Sequence, residues 1–395
     1  MNETPLFDMH DDELTIGSSA KTTALVDRRK ILTWLGAAGA GTFVFQKALA
    51  AQVEGTGTVT VEMVAQAEWI AGIELNETQR AETAAGLQNL MRELEALRNV
   101  DVGYDTWPAV SFRVKPGSKP LPRHPLAVPS DPRNELATPD DDVDLAYMSI
   151  AEQSRLIRSR QISSLELTQM YLRRLKKFDP TLKFYVNLTE ELALEQATRV
   201  DRTRNRLGEW NPLRGIPWGA KDLIAYPAYP TTWGAPQFKD RILNAKATVA
   251  AKLDQVGAVL VAKLALGALA MGDKWYGGPT KNPWNPAQGS SGSSAGSASA
   301  TAAGCVGFSL GSETLGSIMS PSRRCGVTGL RPTFGRVSRQ GCMSLSWSMD
   351  KVGPICRSAE DCALVFQVIH GADGLDPSAV DRPFHWPVKL DMKRM

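Results

Sequence analysis

Two serine-containing segments of small residues, together with one lysine upstream of them, are the part of this sequence best suited to chemistry. Residues 292–304 read Gly-Ser-Ser-Ala-Gly-Ser-Ala-Ser-Ala-Thr-Ala-Ala-Gly, and residues 311–318 read Gly-Ser-Glu-Thr-Leu-Gly-Ser-Ile. The lysine is Lys221, in the segment Gly-Ile-Pro-Trp-Gly-Ala-Lys-Asp at residues 215–222. A serine hydroxyl attacks a carbonyl carbon only when a base removes its proton. The sequence must therefore also supply that base.

Histidine is the usual base for a serine nucleophile, but the four histidines of this chain are poorly placed for the role. His10 lies in the N-terminal segment and His124 in a proline-rich stretch. His370 and His385 lie in the final segment, which carries no catalytic signature. A Ser-His-Asp triad is therefore poorly supported.

Lysine can replace histidine if burial lowers its pKa until the amine is neutral near pH 7. Taken alone, Lys221 would more often be a solvated surface lysine. The residues before it, Ile-Pro-Trp-Gly-Ala, are mostly apolar, which is consistent with a buried amine. Together with the two serine segments, this favours Lys221 as the base.

Several segments resemble those of the amidase-signature family and follow one another in the family's order. They are residues 215–222, 282–286, 293–297, 311–317 and 326–333. The resemblance begins near Asp144 and runs to the end of the chain, and the separation of Ser293 from Ser317 equals the family's spacing. It implies an α/β fold in which helices cover a mixed β-sheet. It also implies hydrolysis of a carboxamide C–N bond through an acyl-serine intermediate, without a metal or cofactor.

The resemblance also implies a role for each residue of the site. Ser317 would be the nucleophile, Ser293 the bridge that carries its proton, and Lys221 the base. A cis peptide bond would precede Ser293, and Ser294 would support the bridge by hydrogen bonding. The oxyanion hole would consist of the backbone N–H groups of Thr314, Leu315, Gly316 and Ser317. A helix would begin at Ser317 and tolerate Pro321 in its first turn.

Four residues near the serines depart from the family's pattern. Glu313 stands where aspartate is usual, and Leu315 replaces the first of two glycines. A side chain at Leu315 would narrow the turn if that residue needed a positive φ. Met319 replaces an arginine, for which Arg323 and Arg324 are candidate substitutes. The fourth departure is Ala295 in place of a glycine beside the bridging serines.

Family members continue past the point where this sequence stops. Its final residues, 388–395, carry no strand or helix signature. We therefore expect a partial amidase-signature domain over residues 143–387, incomplete at its C-terminus, followed by a tail outside the family. Such a chain could be catalytically impaired and act at most as a binding protein.

The first 50 residues have the layout of an export signal. Arg28 and Arg29 precede an apolar run from Ile31 to Phe45, and Ala-Leu-Ala at residues 48–50 suits signal peptidase. The paired arginines predict the Tat pathway and a periplasmic location. A buried amphipathic helix is the alternative, disfavoured by the three glycines of the run. The run is also short for a membrane span, so we expect membrane contact only through an uncleaved signal.

Between the signal and the domain, the sequence predicts a helical arm over residues 51–113 and a proline-rich linker over residues 114–142. The arm is expected to be helical from Val59 to Asn99, with a break at which Asn76 caps the second helix. In the domain, helices are predicted at residues 150–157, 164–177, 190–205 and 248–256, the second capped by Ser164 and Glu166. Strands are predicted at residues 258–262 and 306–310.

Composition narrows the partners. The net charge of +3 is spread along the chain and forms no basic stripe of the kind that binds nucleic acid. The five cysteines form no Cys-x-x-Cys pair and are interpreted as small buried apolar residues. They are Cys305, Cys325, Cys342, Cys356 and Cys362. We expect a small-molecule amide as substrate and the Tat machinery as the export partner.

Three other functions remain open at this point. The glutamine-hydrolysing subunit of a tRNA-dependent amidotransferase belongs to the same family, but it works in the cytoplasm with partner chains, which the export signal disfavours. A non-catalytic fragment that only binds ligands is the second alternative. The third is a structural exported protein in which residues 290–299 are a flexible Gly/Ser linker.

Overall fold

The computed structural model describes residues 58–101, 136–203 and 210–384. The chain divides into two compact units, Met1–Trp107 and Pro108–Met395. The predicted export signal, most of the proline-rich linker and the C-terminal tail lie outside the described residues. Within the described ranges, no helix combines the length and the apolar character needed to cross a membrane.

The described part of the first unit is a pair of helices, α1 (Val61–Ala71) and α2 (Glu77–Arg98). The Asn76 side chain accepts the Gln79 N–H at 3.0 Å, and the Gln79 side chain accepts the Asn76 N–H in return. This reciprocal pair satisfies N–H groups that have no partner inside the helix. The predicted cap at Asn76 is therefore confirmed.

The described part of the second unit is built on a six-stranded mixed sheet. Its strands are β1 (Tyr185–Leu188), β2 (Pro217–Lys221), β3 (Val259–Leu264), β8 (Phe308–Glu313), β9 (Thr328–Gly329) and β10 (Lys351–Cys356). In space they follow the order β1-β3-β2-β8-β10-β9. β2 runs parallel to β3 and to β8, whereas the outer pairs are antiparallel. Two short ladders pair β4 (Lys274–Trp275) with β5 (Gly278–Pro279) and β6 (Lys281–Asn282) with β7 (Asn285–Gly289).

Helices surround this sheet, as the α/β prediction requires. They are α3 (Asp142–Tyr147), α4 (Ile150–Ser159), α5 (Ser164–Leu182), α6 (Glu190–Thr203), α7 (Thr248–Val256), α8 (Ala295–Ala302), α9 (Met319–Cys325) and α10 (Ala359–Ile369). The predicted cap of α5 is one residue off. Ser163, not Ser164, accepts the Glu166 N–H at 3.0 Å. Ser164 instead donates its hydroxyl to the Gly215 carbonyl inside the core.

Strands β2 and β3 are buried along their whole length and β8 along all of it except Ser312, which explains their apolar runs. Every residue of β2 and β3 is buried. The two predicted strands are confirmed in position but begin later and end later than predicted, β3 at Leu264 and β8 at Glu313. Polar residues continue both strands beyond the apolar runs. These buried polar residues build the site.

Candidate active site

Lys221, the last residue of β2, ends in a cluster of serine oxygens. The side chain is completely buried. Its Nζ lies 2.9 Å from Ser293 Oγ, 3.0 Å from Ser294 Oγ and 3.0 Å from Ser312 Oγ. A fourth contact, at 3.2 Å, is to the backbone carbonyl of Ser312. The predicted contact of Lys221 with Ser293 is therefore present, and Ser294, which was predicted to support the bridge, contacts the amine directly.

The environment of this amine favours its neutral form. Burial lowers the pKa of Lys221 to about 7, although the carboxylates of Asp350 and Glu313 act in the opposite direction. The four oxygens that contact the amine are all uncharged, so none of them offsets the cost of burying an ammonium ion. An amine with this pKa can accept a proton near neutral pH.

Parallel strands explain how residues so distant in sequence meet. β2 and β8 are paired in parallel, with Gly219 opposite Ser309 and Ala220 opposite Leu310. Their carboxyl ends therefore lie at the same edge of the sheet, which brings Lys221 next to Ser312. The segment before α8 supplies the remaining serines, and the Gly292–Ser293 peptide bond is cis. Glycine is needed at 292, because a Cβ there would lie 1.8 Å from the Gly272 carbonyl oxygen.

Helix α8 shows why the serine-rich segment consists of small residues. All eight residues from Ala295 to Ala302 are buried. Their hydroxyls bond inside the core, Ser297 Oγ to the Leu310 carbonyl at 3.0 Å and Ser299 Oγ to the Lys281 carbonyl at 2.7 Å. The segment is thus a packed helix, and its interpretation as a flexible linker is wrong.

Ser317 joins the cluster through its backbone. Its carbonyl oxygen accepts the Ser294 N–H at 3.1 Å, and the residue is half-buried. Among the residues that the structure describes, none forms a hydrogen bond with the Ser317 hydroxyl. The Ser293 hydroxyl, which contacts Lys221, does not bond to it either. Hydrogen bonds of this kind are often long in a ligand-free site and shorten when substrate binds.

The turn between β8 and α9 has its left-handed residue at a glycine. Gly316 has a φ of 85°, whereas Leu315 is not among the residues with positive φ. The Leu315 side chain is 83% exposed. The expected narrowing of the turn at Leu315 therefore does not occur. Helix α9 begins at Met319, two residues later than predicted, with Pro321 in its first turn.

Glu313 organises this turn from inside. Its carboxylate accepts the N–H groups of Ile318 at 2.8 Å and Met319 at 3.0 Å, and Arg331 donates to it at 3.2 Å. Burial opposes ionisation of Glu313, but the N–H groups of Met319, Ile318 and Gly316, with Arg331, hold its pKa below the ordinary value. Arg331 is thus the cation that bonds to the Glu313 carboxylate, and Lys351 donates to the Thr314 carbonyl of the same turn at 3.0 Å. Among the described residues, neither Arg323 nor Arg324 bonds to this carboxylate.

Sequence reasoning missed two participants, Ser312 and Asp350. Ser312 meets the lysine amine, and a signal for it existed, since it lies near the end of a strand parallel to that of Lys221. Asp350 lies 36 residues beyond Thr314 and accepts its hydroxyl, together with the N–H groups of Leu345 and Ser346. No local pattern marks such a long-range contact.

A cavity of about 170 Å³ opens beside the lysine–serine cluster. It shares Ser312 with that cluster, and its wall includes the apolar side chains of Met343 and Val352. Cys342 also lines it, and burial raises the pKa of that thiol to about 12, so the thiol stays protonated. All five cysteines are free thiols. Among the described residues, no group of three or more His, Cys, Asp or Glu side chains is arranged to hold a metal ion.

Comparison with known proteins places this geometry in a family. The family described as Amidase matches residues 166–395. A glutamyl-tRNA(Gln) amidotransferase subunit of Methylococcus capsulatus is 42% identical over 238 residues, which are 60% of this chain and 49% of that protein. The native peptide amidase of Stenotrophomonas maltophilia superposes with a TM-score of 0.57 at 34% identity, covering 60% of this chain and 51% of the amidase.

An amidase family protein from Bacillus anthracis superposes equally well, with a TM-score of 0.57 at 32% identity over 60% of this chain and 49% of that protein. The chain thus spans about half the length of the relatives it matches. The match extends over the strands, the lysine and both serine segments described above. This chain belongs to the amidase family.

Proposed function

We propose that this protein hydrolyses carboxamide bonds through an acyl-enzyme formed on Ser317. The observation that carries the proposal is the buried Lys221 amine, 2.9 Å from Ser293 Oγ and with its pKa lowered to about 7. A neutral amine in this place can remove a proton from a hydroxyl. Membership of the amidase family supports the same chemistry.

The proton would travel along the serines. Lys221 Nζ takes the hydroxyl proton of Ser293, which takes that of Ser317 as Ser317 Oγ bonds to the carbonyl carbon of the substrate. When the C–N bond breaks, the proton passes from Lys221 Nζ through the Ser293 hydroxyl to the departing nitrogen, which leaves as ammonia or an amine. Water then attacks the ester and gives its proton to the same base, releasing the carboxylic acid and free Ser317.

The negative charge of the tetrahedral intermediate needs donors on the turn before α9. The backbone N–H groups of Thr314, Leu315, Gly316 and Ser317 are the candidates. A glycine turn followed by a helix presents such groups to an anion. Loss of one donor typically costs about 3 kcal/mol of transition-state stabilisation. Because the Glu313 carboxylate also faces the Gly316 N–H, we expect the neighbouring N–H groups to contribute most.

Replacement of the nucleophile tests the proposal. Ser317→Ala should lower kcat for a simple amide or ester by at least about a thousandfold and abolish the burst of first product. Mass spectrometry of the wild type during turnover should find the acyl group on Ser317. Ser320→Ala is the matched control, because Ser320 is exposed in the first turn of α9 and its hydroxyl bonds, among the described residues, to that of Ser291. Unchanged turnover in Ser317→Ala would contradict the proposal.

A second candidate follows from the relatives. The chain is 42% identical to a protein named as part of a glutamyl-tRNA(Gln) amidotransferase. If this chain had the same role, glutamine would be its preferred amide, and partner chains would raise the rate of ammonia release. Ammonia release from glutamine should be compared with that from aliphatic and aryl amides. A strong preference for glutamine would favour this candidate. Binding of amides without any turnover would favour the non-catalytic alternative.

A further inference from the structure

Two buried lysines lie on neighbouring parallel strands, and their surroundings differ in charge. Lys221 of β2 and Lys263 of β3 are both completely buried. The amine of Lys221 contacts only hydroxyl and carbonyl oxygens. The amine of Lys263 lies 2.7 Å from Asp222 Oδ1, in an ion pair that is itself completely buried. One lysine has a counter-charge and the other has none.

Both side chains of the ion pair form further hydrogen bonds. Asp222 Oδ2 accepts the Thr232 N–H at 2.8 Å and the Thr232 hydroxyl at 2.5 Å. Lys263 Nζ donates further to Thr231 Oγ1 at 3.0 Å and to the Pro230 carbonyl at 3.1 Å. A buried ion pair is tolerable only when its remaining polar atoms are satisfied in this way.

Asp222 is also the residue directly after Lys221. Its backbone N–H donates to the Leu264 carbonyl at 2.8 Å, which continues the pairing of β2 with β3 beyond the end of the strand. The Asp222 carboxylate contacts Lys263 and Thr232, whereas the Lys221 amine contacts the serine cluster. Fixing Asp222 therefore fixes the backbone from which the Lys221 side chain extends.

We propose that the Asp222–Lys263 ion pair is a positioning device for Lys221, which holds the end of β2 and keeps the adjacent carboxylate from serving as a counter-charge for the Lys221 amine. This inference rests on the proposed function, because it concerns the base of that reaction. The charge of Lys263 is balanced by Asp222, whereas the Lys221 amine contacts only uncharged oxygens.

The other ionisable groups that face Lys221 are already engaged. Asp350 accepts the Leu345 and Ser346 N–H groups, and Glu313 accepts those of Ile318 and Met319 together with Arg331. The two carboxylates and the Cys342 thiol raise the pKa of Lys221, but burial lowers that pKa by more. A newly unpaired Asp222 carboxylate would be one more negative charge next in the chain to Lys221.

Four variants separate positioning from mere support of the fold. They are Lys263→Met, Asp222→Asn, the double variant and Lys263→Arg. Lys263→Met leaves the carboxylate without its partner and should raise the ionisation midpoint of Lys221 by about one pH unit. Asp222→Asn removes the carboxylate and should not raise it. The double variant should return to the wild-type midpoint, and Lys263→Arg, which keeps the pair, should stay there.

The midpoint should be read in the full-length protein from the ¹³Cε resonance of Lys221, assigned by its loss in Lys221→Met. This titration does not depend on turnover, so it tests the inference even if amide hydrolysis is absent. The acid limb of kcat/KM should move with the midpoint where turnover is present. Lys246→Met is the matched control, because it breaks a different, partly exposed ion pair. In that pair Lys246 Nζ lies 2.6 Å from Asp254 Oδ2.

An unchanged Lys221 midpoint in Lys263→Met, with activity falling only in proportion to thermal stability, would overturn the inference. So would a rise in Asp222→Asn. If Lys263→Met does not fold, the double variant and Asp222→Asn decide, since a Lys221 midpoint displaced upward by about one unit in either of them contradicts the proposed role.

Discussion

Lys221 Nζ is held by three hydroxyls and one carbonyl oxygen in a place that water does not reach. The same side chain in solvent would stay protonated far above neutral pH. Its capacity to act as a base therefore depends on its burial, and on the absence of a charged atom among the oxygens that contact it. This is a property of one residue that can be titrated.

Activity should follow that titration. Because the proposed base is the neutral amine and burial places its pKa at about 7, kcat/KM should fall by about tenfold per pH unit below that value. Lys221→Met should remove the activity at every pH. A steady-state pH profile of the wild type checks the acid limb. A profile that stays flat down to pH values well below 7 would exclude Lys221 as the base.

Stability should respond to the same proton in a defined direction. Between about pH 7 and the ordinary lysine value, the unfolded chain binds a proton that folded Lys221 has lost. The free energy of unfolding should therefore rise with pH in this window, by at most about 1.4 kcal/mol per unit. In Lys221→Met this contribution should disappear. Denaturant unfolding of both proteins across the window measures the difference, and equal slopes would contradict it.

The contact of Lys221 with Ser293 could be predicted from the sequence, because the motif segments resemble those of the amidase-signature family. The sequence was not sufficient for Ser312 or Asp350. Ser312 reaches the amine only through the parallel pairing of β2 with β8. Asp350 reaches the turn from a segment far along the chain. Contacts that depend on strand pairing or on chain reversal leave little trace in the local pattern.

At the scale of elements, the turn from β8 into α9 is held by one buried carboxylate. Glu313→Gln keeps nearly the same shape but exchanges the ion for an amide, whose nitrogen cannot accept the Ile318 or Met319 N–H. We expect a loss of about 1–3 kcal/mol in stability and a fall in kcat larger than the change in KM. Urea unfolding and steady-state kinetics measure the two effects.

Glu360→Gln is a suitable control for that variant, because Glu360 lies on the exposed side of the first turn of α10. It should leave both stability and kcat close to the wild-type values. An undisturbed kcat in Glu313→Gln would mean that the turn keeps its geometry without the carboxylate.

Elements with strong local signals were predicted closely, and their ends less so. Helix α7 has the predicted bounds, because the glycine after Val256 stops it. Helix α5 continues five residues beyond its predicted end, to Leu182, with Pro180 inside its last turn. Tertiary packing carried it past the point at which the periodic pattern weakens. Strand β8 likewise continued into polar residues that have partners only in the folded core.

At the scale of the whole molecule, the predicted export signal sets where the protein would work. We propose that the chain is exported by the Tat pathway, on the basis of Arg28, Arg29 and the apolar run that follows them. Membership of the amidase family does not indicate where the protein is located. The signal lies outside the described residues, so the proposal rests on sequence alone.

Replacing both arginines by lysine tests that proposal and preserves the charge of the segment. Arg28→Lys/Arg29→Lys should keep the protein in the cytoplasm as the full-length chain, whereas the wild type should be recovered from the periplasm or at the inner membrane. Cell fractionation with an antibody to the chain measures this. A control with Lys30→Arg should be exported normally. Equal distribution of the wild type and the double variant would exclude the twin-arginine route.

Helix α8 has a consequence for how such proteins are found. Its eight residues are drawn from alanine, glycine, serine and threonine, yet all are buried. Filters that mask compositionally biased sequence before a database search would remove this stretch as uninformative. They would discard a fully buried helix next to the lysine–serine cluster, and distant relatives would go unrecognised. The backbone is crowded here, because a Cβ on Gly296 would lie 2.1 Å from the Phe184 carbonyl oxygen. A helix packed this closely is built from small residues, so its composition resembles that of a disordered spacer.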